Sequence, residues 1–392
     1  MLLDLYLRNC GTHRLALGHQ LLVMKRLENV ANKVKLKDTK EERLAELKEQ
    51  LARCDFPVKF QLPLNPDLSV KNFVVDKCRV MESKKKPLWL VFKNADKEDE
   101  EITVMFKAGD DLRQDQLTLQ VMSIMDNFWK EDGLDMKMNA YKCVCTGDEL
   151  GMLEVVTNAN TLAGIIKENQ GEKHGTRKKF GAAVDAFTNQ KIFTQWLMGG
   201  AREGSDFFDM EDESSTSDYT TIQRNFLFSS AGYAVATFVL GIGDRHNDNI
   251  MLKKTGELFH IDFGHFLGNF KSKFGFKRER LEGQFVFTPA MAHILDGTKS
   301  DLFKEFESLC CRCLLTLRKH AGVLITLFSL MLSCGIPELQ SEEDITYLKQ
   351  RLMLDLETEA EVEMEFRKVI YSSLRTKTTR ANDAIHSWVH GA

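Results

Sequence analysis

The sequence predicts an α+β fold in two lobes, a small one built on an antiparallel sheet and a larger, mainly helical one. Three observations predict it. A chain of 392 residues is too long for one ordinary hydrophobic core. Between residues 56 and 156, short apolar runs alternate with polar turns, the pattern of strands. Beyond residue 157, apolar positions recur at helical spacing. The expected boundaries are therefore 1–55 for leading helices and a linker, 56–156 for the small lobe and 157–392 for the large lobe.

Composition narrows the class. Apolar residues make up 43% of the chain and charged residues 28%, as in soluble globular proteins. The net charge of −4 hides local asymmetry and says little about partners, among which no nucleic acid is expected. Nine cysteines without regular paired spacing speak against a disulfide framework and for a reducing compartment. Cys310, Cys311 and Cys313 lie in an apolar helical stretch and read as core packing, with no second Cys or His pair to complete a zinc site. The longest apolar run, Ala321–Cys334, falls short of the roughly 20 residues that span a bilayer. A cytoplasmic protein that touches membrane only peripherally is expected.

In the leading region, Leu15, Leu17, Leu21, Leu22, Met24 and Leu27 form a first helical apolar set, and Leu44, Leu47 and Leu51 a second. The charged run Lys33–Glu42 reads as a solvated helix face or linker, and 1–55 offers no chemistry of its own. Strands are predicted at Val70–Val75, Cys78–Met81, Pro87–Phe92 and Ile102–Lys107, and again at Tyr141–Cys145 and Gly151–Val156. The turn Glu82–Lys86 offers a Ser hydroxyl and several ammonium groups; it is either a solvated turn or a cover for triphosphate oxygens. Lys107 closes its strand, ahead of Gly109–Asp115 and a helix over Leu117–Trp129; a strand-end lysine facing a nucleotide can neutralise phosphate charge. The small lobe ends on an extended segment at Thr157–Ala159, where a hinge would offer backbone groups to an adenine edge.

The large lobe opens with short helices at Phe180–Phe187 and Lys191–Met198, then a polar insert over Ala201–Ser217 that reads as a loop. A long apolar helix, Asn225–Leu240, leads to the stretch from Gly241 to Gly264, the densest chemistry in the chain. There Asp244-Arg245-His246 and Asn249 precede Asp262-Phe263-Gly264. Between them, Ile250–Leu252 and Leu258–Ile261 flank the turn-like Lys253-Lys254-Thr255-Gly256, the layout of a hairpin. A hairpin brings Asn249 and Asp262 side by side, and an amide oxygen with a carboxylate suits Mg²⁺. Asp244 and His246 stand where they could take the proton of an attacking hydroxyl. The step from Asp244 to Asn249 matches the catalytic loop of protein kinases, with the His and Asp exchanged. Downstream, Lys271, Lys273, Lys277, Arg278 and Arg280 form a basic loop, either solvated or a clamp for a polyanionic substrate. Four further helices are predicted at Phe303–Leu317, Ala321–Cys334, Glu342–Met353 and Glu359–Leu374, followed by a tail whose Trp388 either packs on the lobe or meets a lipid interface.

Four stretches, MESKKKPLWL (81–90), FKAGDDLRQD (106–115), AGYAVATFVLGIGDRHNDNIM (231–251) and LFHIDFGHFLGNFKSKFGFKRER (258–280), resemble the catalytic subunits of class I phosphoinositide 3-kinases. The similarity runs from about residue 56 to residue 355, with 1–55 resembling the end of that family's helical domain. It implies a two-lobed protein-kinase-like fold with ATP in the cleft and a phosphoinositide lipid as substrate. By the same resemblance Lys107 contacts the nucleotide phosphates with Ser83 and Lys85, and Asp115 supports Lys107 or the metal network. The hinge 154–156 meets adenine through the main chain of Glu154 and Val156, with Val155 between them. Met81, Trp89, Tyr141, Met251 and Ile261 surround the base. Asn249 and Asp262 hold Mg²⁺, and His246 with Asp244 serves the inositol hydroxyl. Lys271 and the cluster from Lys277 to Arg280 receive the headgroup phosphates. A regulatory subunit and recruitment to the plasma membrane are further implications. The chain departs from the family pattern at Leu281–Phe285, a longer and more acidic exit from the basic loop.

Overall fold

The computed structural model describes residues 2–11, 13–97, 99–170, 191–201, 213–269, 272–273, 276–277 and 285–375. Two compact units divide the chain, Met1–Leu119 with Tyr141–Val156, and Gln120–Ala140 with Thr157–Ala392. The division differs from the sequence boundaries in two ways. The leading helices belong to the same unit as the sheet, and 120–140 belongs with the second unit.

The first unit is an antiparallel sheet: β1 (Phe60–Leu62), β2 (Asn65–Phe73), β4 (Leu88–Asn94), β5 (Glu101–Ala108), β7 (Leu150–Glu154) and β6 (Cys143–Gly147) in that order, with β3 (Arg79–Val80) paired to β4. Alternation along the strands sets the two faces. Leu88, Leu90 and Phe92 of β4 and Val104, Phe106 and Ala108 of β5 enter the core. Trp89, Met105, Lys107 and Leu153 project the other way, with Trp89 paired to Met105, Met105 to Leu153, and Lys107 to Gly151. Three helices precede the sheet, α1 (Leu2–Asn9), α2 (His13–Lys35) and α3 (Lys40–Arg53).

The buried stripe of α2 is Val23, Met24, Leu27, Val30, Ala31 and Val34. The apolar set expected from sequence is displaced, since Leu15 and Leu21 are 70% and 62% exposed. α2 lies against α3, β1 and β5, and its buried residues begin at Val23. The run Lys33–Glu42 is the end of α2, a turn and the start of α3, which Thr39 and Glu42 close with a reciprocal capping box.

α4 (Arg113–Glu131) begins in the first unit and ends in the second, where Trp129 is fully buried and donates to the Cys313 carbonyl at 3.0 Å. The other helices of this unit are α5 (Leu162–Gln170), α6 (Ile192–Ala201), α7 (Glu213–Val239), α8 (Pro289–Ile294), α9 (Asp301–Lys319), α10 (Ala321–Met331), α11 (Glu342–Arg351) and α12 (Glu359–Arg375). From Phe226 onward α7 is buried nearly all round, so it is the central helix of this unit, and no single face was legible from its periodicity. It starts at Glu213, inside the stretch read from sequence as a loop. A three-stranded antiparallel sheet, β8 (Ala159–Thr161), β9 (Ile250–Lys253) and β10 (Leu258–His260), carries the predicted hairpin in its β9–β10 pair. All nine cysteines are free thiols, and Cys310, Cys311 and Cys313 are core residues. No single described helix is long and apolar enough to cross a membrane; the pair formed by α9 and Ala321–Cys334 is bent by 65°. The predicted helix at Phe180–Phe187 and the tail with Trp388 lie outside the described residues.

Candidate active site

In the second unit the candidate residues stand on the β9–β10 hairpin. Register pairs Ile250 with His260, and the Ile261 N–H donates to the Asn249 carbonyl at 3.0 Å. Asn249 and Asp262 therefore leave the hairpin from neighbouring positions at its open end. Met251 and Ile261 are partly exposed, while Ile250, Leu252 and Leu258 are buried. The turn at Lys253–Gly256 closes on a Gly256 N–H to Lys253 carbonyl bond of 3.0 Å.

What fixes the open end is Arg245. Its side chain is buried and spends its donors on four main-chain carbonyls. Nε donates to Gly243 at 2.9 Å, Nη1 to Asn249 at 3.3 Å and to Ile261 at 2.7 Å, and Nη2 to the Asp262 carbonyl. A guanidinium is planar and always charged, which suits it to this fork of acceptors better than a lysine. The residues on either side of the fork, Asp244 and Asp262, both adopt left-handed backbone (φ 52° and 61°) and are exposed. That conformation costs a non-glycine residue roughly 1–2 kcal/mol, and Asp tolerates it better than most.

Do these residues fit a divalent cation? The Asn249 amide nitrogen donates to the Asp244 carbonyl at 3.0 Å and lies 3.1 Å from His246 Nε2. The contact with the Asp244 carbonyl, which can only accept, identifies Nδ2 and leaves Oδ1 as the pole open to a cation. Asp262 is exposed, and among the described residues no hydrogen bond reaches its carboxylate. Two oxygen donors, one charged, suit Mg²⁺, which fills its remaining places with water and phosphate. No group of three or more His, Cys, Asp or Glu among the described residues is placed to hold a metal, so a site of softer ligands has no counterpart there.

His246 is half-buried, and its ring is held on both sides. Nδ1 lies 3.2 Å from the Asp248 N–H and 3.9 Å from Asp248 Oδ2, and Nε2 faces Asn249. The neutral ring carries one proton, so only one nitrogen accepts at a time. The ring that would serve a hydroxyl thus touches the amide that would hold the metal.

The strand-end lysine lies in the first unit. Lys107 donates to Asp110 Oδ2 at 3.0 Å. The turn beyond it is held by Glu149, whose carbonyl takes the Gly109 and Asp110 N–H groups at 2.7 and 3.2 Å. Asp115 is buried in the first turn of α4. Asp111 accepts a bidentate pair from Arg113 at 2.9 and 2.6 Å, and this hydrogen bonding holds its carboxyl below the usual range. In the turn after β3, Ser83 and Lys85 are exposed, and Lys85 Nζ donates to the Gly109 carbonyl. At the end of β7 the Glu154 N–H is taken by the Lys142 carbonyl at 2.8 Å, and the Lys142 N–H by Glu154 Oε2 at 2.9 Å. The Val155 N–H reaches the Thr103 carbonyl at 3.4 Å. Tyr141 is buried, and Met81 and Trp89 are half-buried, with Arg79 stacked 4.2 Å over the Trp89 ring.

Three residues near these sites escaped the sequence reading. Arg245 stood between two residues of obvious chemistry, but its role depends on carbonyls brought to it by the fold. Asp110 was visible in Gly109-Asp110-Asp111, yet nothing local distinguishes it from Asp111. Lys35, in the leading region, donates to the Ala108 carbonyl at 2.5 Å, beside the Lys107 turn. Burial lowers its pKa, and the neighbouring Lys85 lowers it further.

The basic segment is described only as a backbone hairpin, β11 (Ser272–Lys273) and β12 (Phe276–Lys277), with Ser272 opposite Lys277 and Lys273 opposite Phe276. Lys271, Arg278 and Arg280, and the side chains of Lys273 and Lys277, lie outside the described residues.

Comparison with known proteins agrees with this chemistry. The family model described as phosphatidylinositol 3- and 4-kinase matches residues 101–341. Three Dictyostelium discoideum proteins are similar. Phosphatidylinositol 3-kinase 2 is 48% identical over 390 residues, covering 100% of this chain and 20% of that protein. Phosphatidylinositol 3-kinase 1 is 43% identical over 391 residues, with 100% and 23% covered. Phosphatidylinositol 3-kinase 3 is 41% identical over 373 residues, with 95% and 20% covered. The chain spans 20% to 23% of the length of these relatives. Its sheet-based unit and its helical unit are those of a two-lobed, kinase-like α+β fold. With more than half its length matched, the chain belongs to the phosphatidylinositol 3- and 4-kinase family.

Proposed function

We propose that the chain transfers the γ-phosphate of ATP to the 3-hydroxyl of phosphatidylinositol 4,5-bisphosphate and related phosphoinositides at a membrane surface. The observation that carries this reading is the Arg245 fork, which holds Asn249 and Asp262 at one end of a hairpin with His246 against Asn249. Phosphoryl transfer asks the protein mainly for positioning and charge neutralisation. Asn249 Oδ1 and the Asp262 carboxylate would hold Mg²⁺, which when bound neutralises charge on the phosphate oxygens. Lys107, released from Asp110, would pair with phosphate, with Lys85 and Ser83 beside it. His246, with Asp244 nearby, would take the proton of the attacking hydroxyl. Lys271, Lys273, Lys277, Arg278 and Arg280 would receive the headgroup phosphates. The family's lipid kinase names favour a lipid acceptor over the rival reading, a protein kinase acting on Ser or Thr.

The test is turnover on a lipid panel and on peptides, with the parent chain and with Asp262→Asn. Phosphorylation of phosphoinositide at the 3-position, lost in the variant, is the expected result. Replacing Lys277, Arg278 and Arg280 together should remove turnover of the bisphosphate while sparing unphosphorylated phosphatidylinositol. Equal loss of both lipids would reject the headgroup assignment, and peptide turnover alone would favour the rival. Nucleotide binding without turnover of any acceptor would leave a binding scaffold.

A further inference from the structure

We infer that Glu338 and Tyr347 form a brace that positions the segment leaving Asp262, through Asn269. Neither residue belongs to the phosphate, metal or headgroup sets named above. They come from the turn before α11 and from α11 itself, more than seventy residues along the chain from the segment they hold.

That segment needs holding. Its backbone is left-handed at Asp262, Leu267 and Gly268 (φ 61°, 51° and 79°), and the strip beside it is left-handed at Gly241 and Asp244 (φ 57° and 52°). Non-glycine residues in such conformations persist only where their surroundings over-determine them. Two main-chain bonds tie the strips together, Gly243 N–H to the His265 carbonyl and Leu267 N–H to the Leu240 carbonyl, each 2.8 Å.

Glu338 supplies the next ties. Ile336 and Leu339 are buried and bonded across their turn at 3.2 Å, which aims the side chain between them. Oε1 lies 2.6 Å from His265 Nδ1, and Oε2 accepts the Phe266 N–H at 2.7 Å. The Glu338 carbonyl accepts from Asn269 Nδ2 at 3.2 Å. One residue thus grips three positions in the five that follow Gly264.

Tyr347 fills the gap between the two glycine turns. A Cβ on Gly241 would come within 2.4 Å of Tyr347 Cε1, and one on Gly268 within 2.6 Å of Cε2. The two ring edges therefore face the two strips, and both turns require glycine for space as well as for φ. Arg351 pins the ring, lying 4.8 Å from its centroid and 5.1 Å from that of Phe238. The carboxylate fixes where the segment goes, and the ring fixes its distance from the strip that leads to Asp244.

The effect on turnover rests on the lipid-kinase reading, whereas the brace itself does not. The experiment therefore has two arms, run on the full chain as Glu338→Gln, Glu338→Ala, Tyr347→Ala and the double alanine variant. In the first, amide hydrogen exchange at Phe266 and Leu267 should rise about tenfold or more in each alanine variant, because their acceptors or support are removed. Glu338→Gln keeps an acceptor for the Phe266 N–H and should fall between, which also guards against a variant that fails to fold. In the second arm, kcat on phosphatidylinositol vesicles should fall about tenfold while KM for ATP moves less than about threefold. The double variant should be within about twofold of the worse single one, since one brace is broken either way. Unchanged exchange at both amides in folded single variants overturns the brace. Loss of kcat with a matching rise in KM for ATP overturns its assignment to positioning. A parent chain that turns over no lipid defeats the functional reading, and the exchange arm still decides the brace.

Discussion

Arg245 Nη1 donates to the Ile261 carbonyl at 2.7 Å, joining the loop that carries His246 to the strand that delivers Asp262. The bond is one of four from the same buried guanidinium. Arg245→Met would strip donors from these carbonyls, of which, among the described residues, only Asn249 keeps another partner, the Ile261 N–H. A buried group left unsatisfied costs about 1–3 kcal/mol, so a loss of roughly 3 kcal/mol or more is expected. Arg245→Lys, able to reach only part of the fork, should fall between. Urea unfolding of the three proteins checks this, and a Met variant as stable as the parent would refute it.

Asp262 offers a cleaner test of the chemistry through Asn than through Ala. At φ 61° the residue is left-handed, a region Asn tolerates and Ala enters at a cost of roughly 1–2 kcal/mol. Asp262→Asn removes the charge while sparing the backbone. Turnover should drop about a thousandfold or more, as for groups acting at a reacting centre. The melting temperature should stay within about 2 °C of the parent's, as for an exposed substitution. Calorimetric titration with Mg²⁺ and a non-hydrolysable ATP analogue should show weakened metal-dependent binding.

Gly256 should resist replacement for two independent reasons. Its φ is 100°, and an added Cβ would stand 2.2 Å from the Ile222 carbonyl oxygen of α7. Because the clash is with backbone, Gly256→Ala should cost about 2 kcal/mol or more. Exposed Thr255, one residue away, serves as the control and should tolerate Ala within about 1 kcal/mol. Denaturant midpoints for the pair decide the matter.

Alkaline pH should destabilise the chain through its buried thiols. Burial pushes Cys145 and Cys311 up to about 11, and raises Cys143, Cys310 and Cys313 as well, with Asp115 adding to the effect at Cys143. A thiol whose folded pKa lies above its unfolded value contributes stability that is intact below the unfolded pKa. That contribution is lost as pH rises from there through the folded value. Stability should therefore fall between about pH 8 and about pH 11, given an unfolded thiol pKa near 8.5. Exposed Cys334 should alkylate first at about pH 8, and Cys313 only on unfolding. Early labelling of Cys313 in the folded chain would contradict this.

The sequence by itself determined what is local. Alternation gave the strands of the first unit from Val70 onward but missed β1 and the start of β2, where Pro63 and Pro66 read as breaks; the Lys253–Gly256 turn gave the hairpin, and that hairpin dictated that Asn249 and Asp262 emerge together. It also marked Cys310, Cys311 and Cys313 as core and named the family to which the chain belongs. These features depend on residues a few positions apart, whose spacing is written in the chain. Tertiary structure alone decided that Leu15 and Leu21 lie outside the stripe that α2 buries, since amphipathic spacing does not reveal which part of a helix its neighbours cover. Only it gave Arg245 four acceptors, set Lys35 on the Ala108 carbonyl, and brought Glu338 to His265 across 73 residues. A hydrogen bond between distant segments leaves no periodicity behind. Its partners are chosen by where the packed core places them.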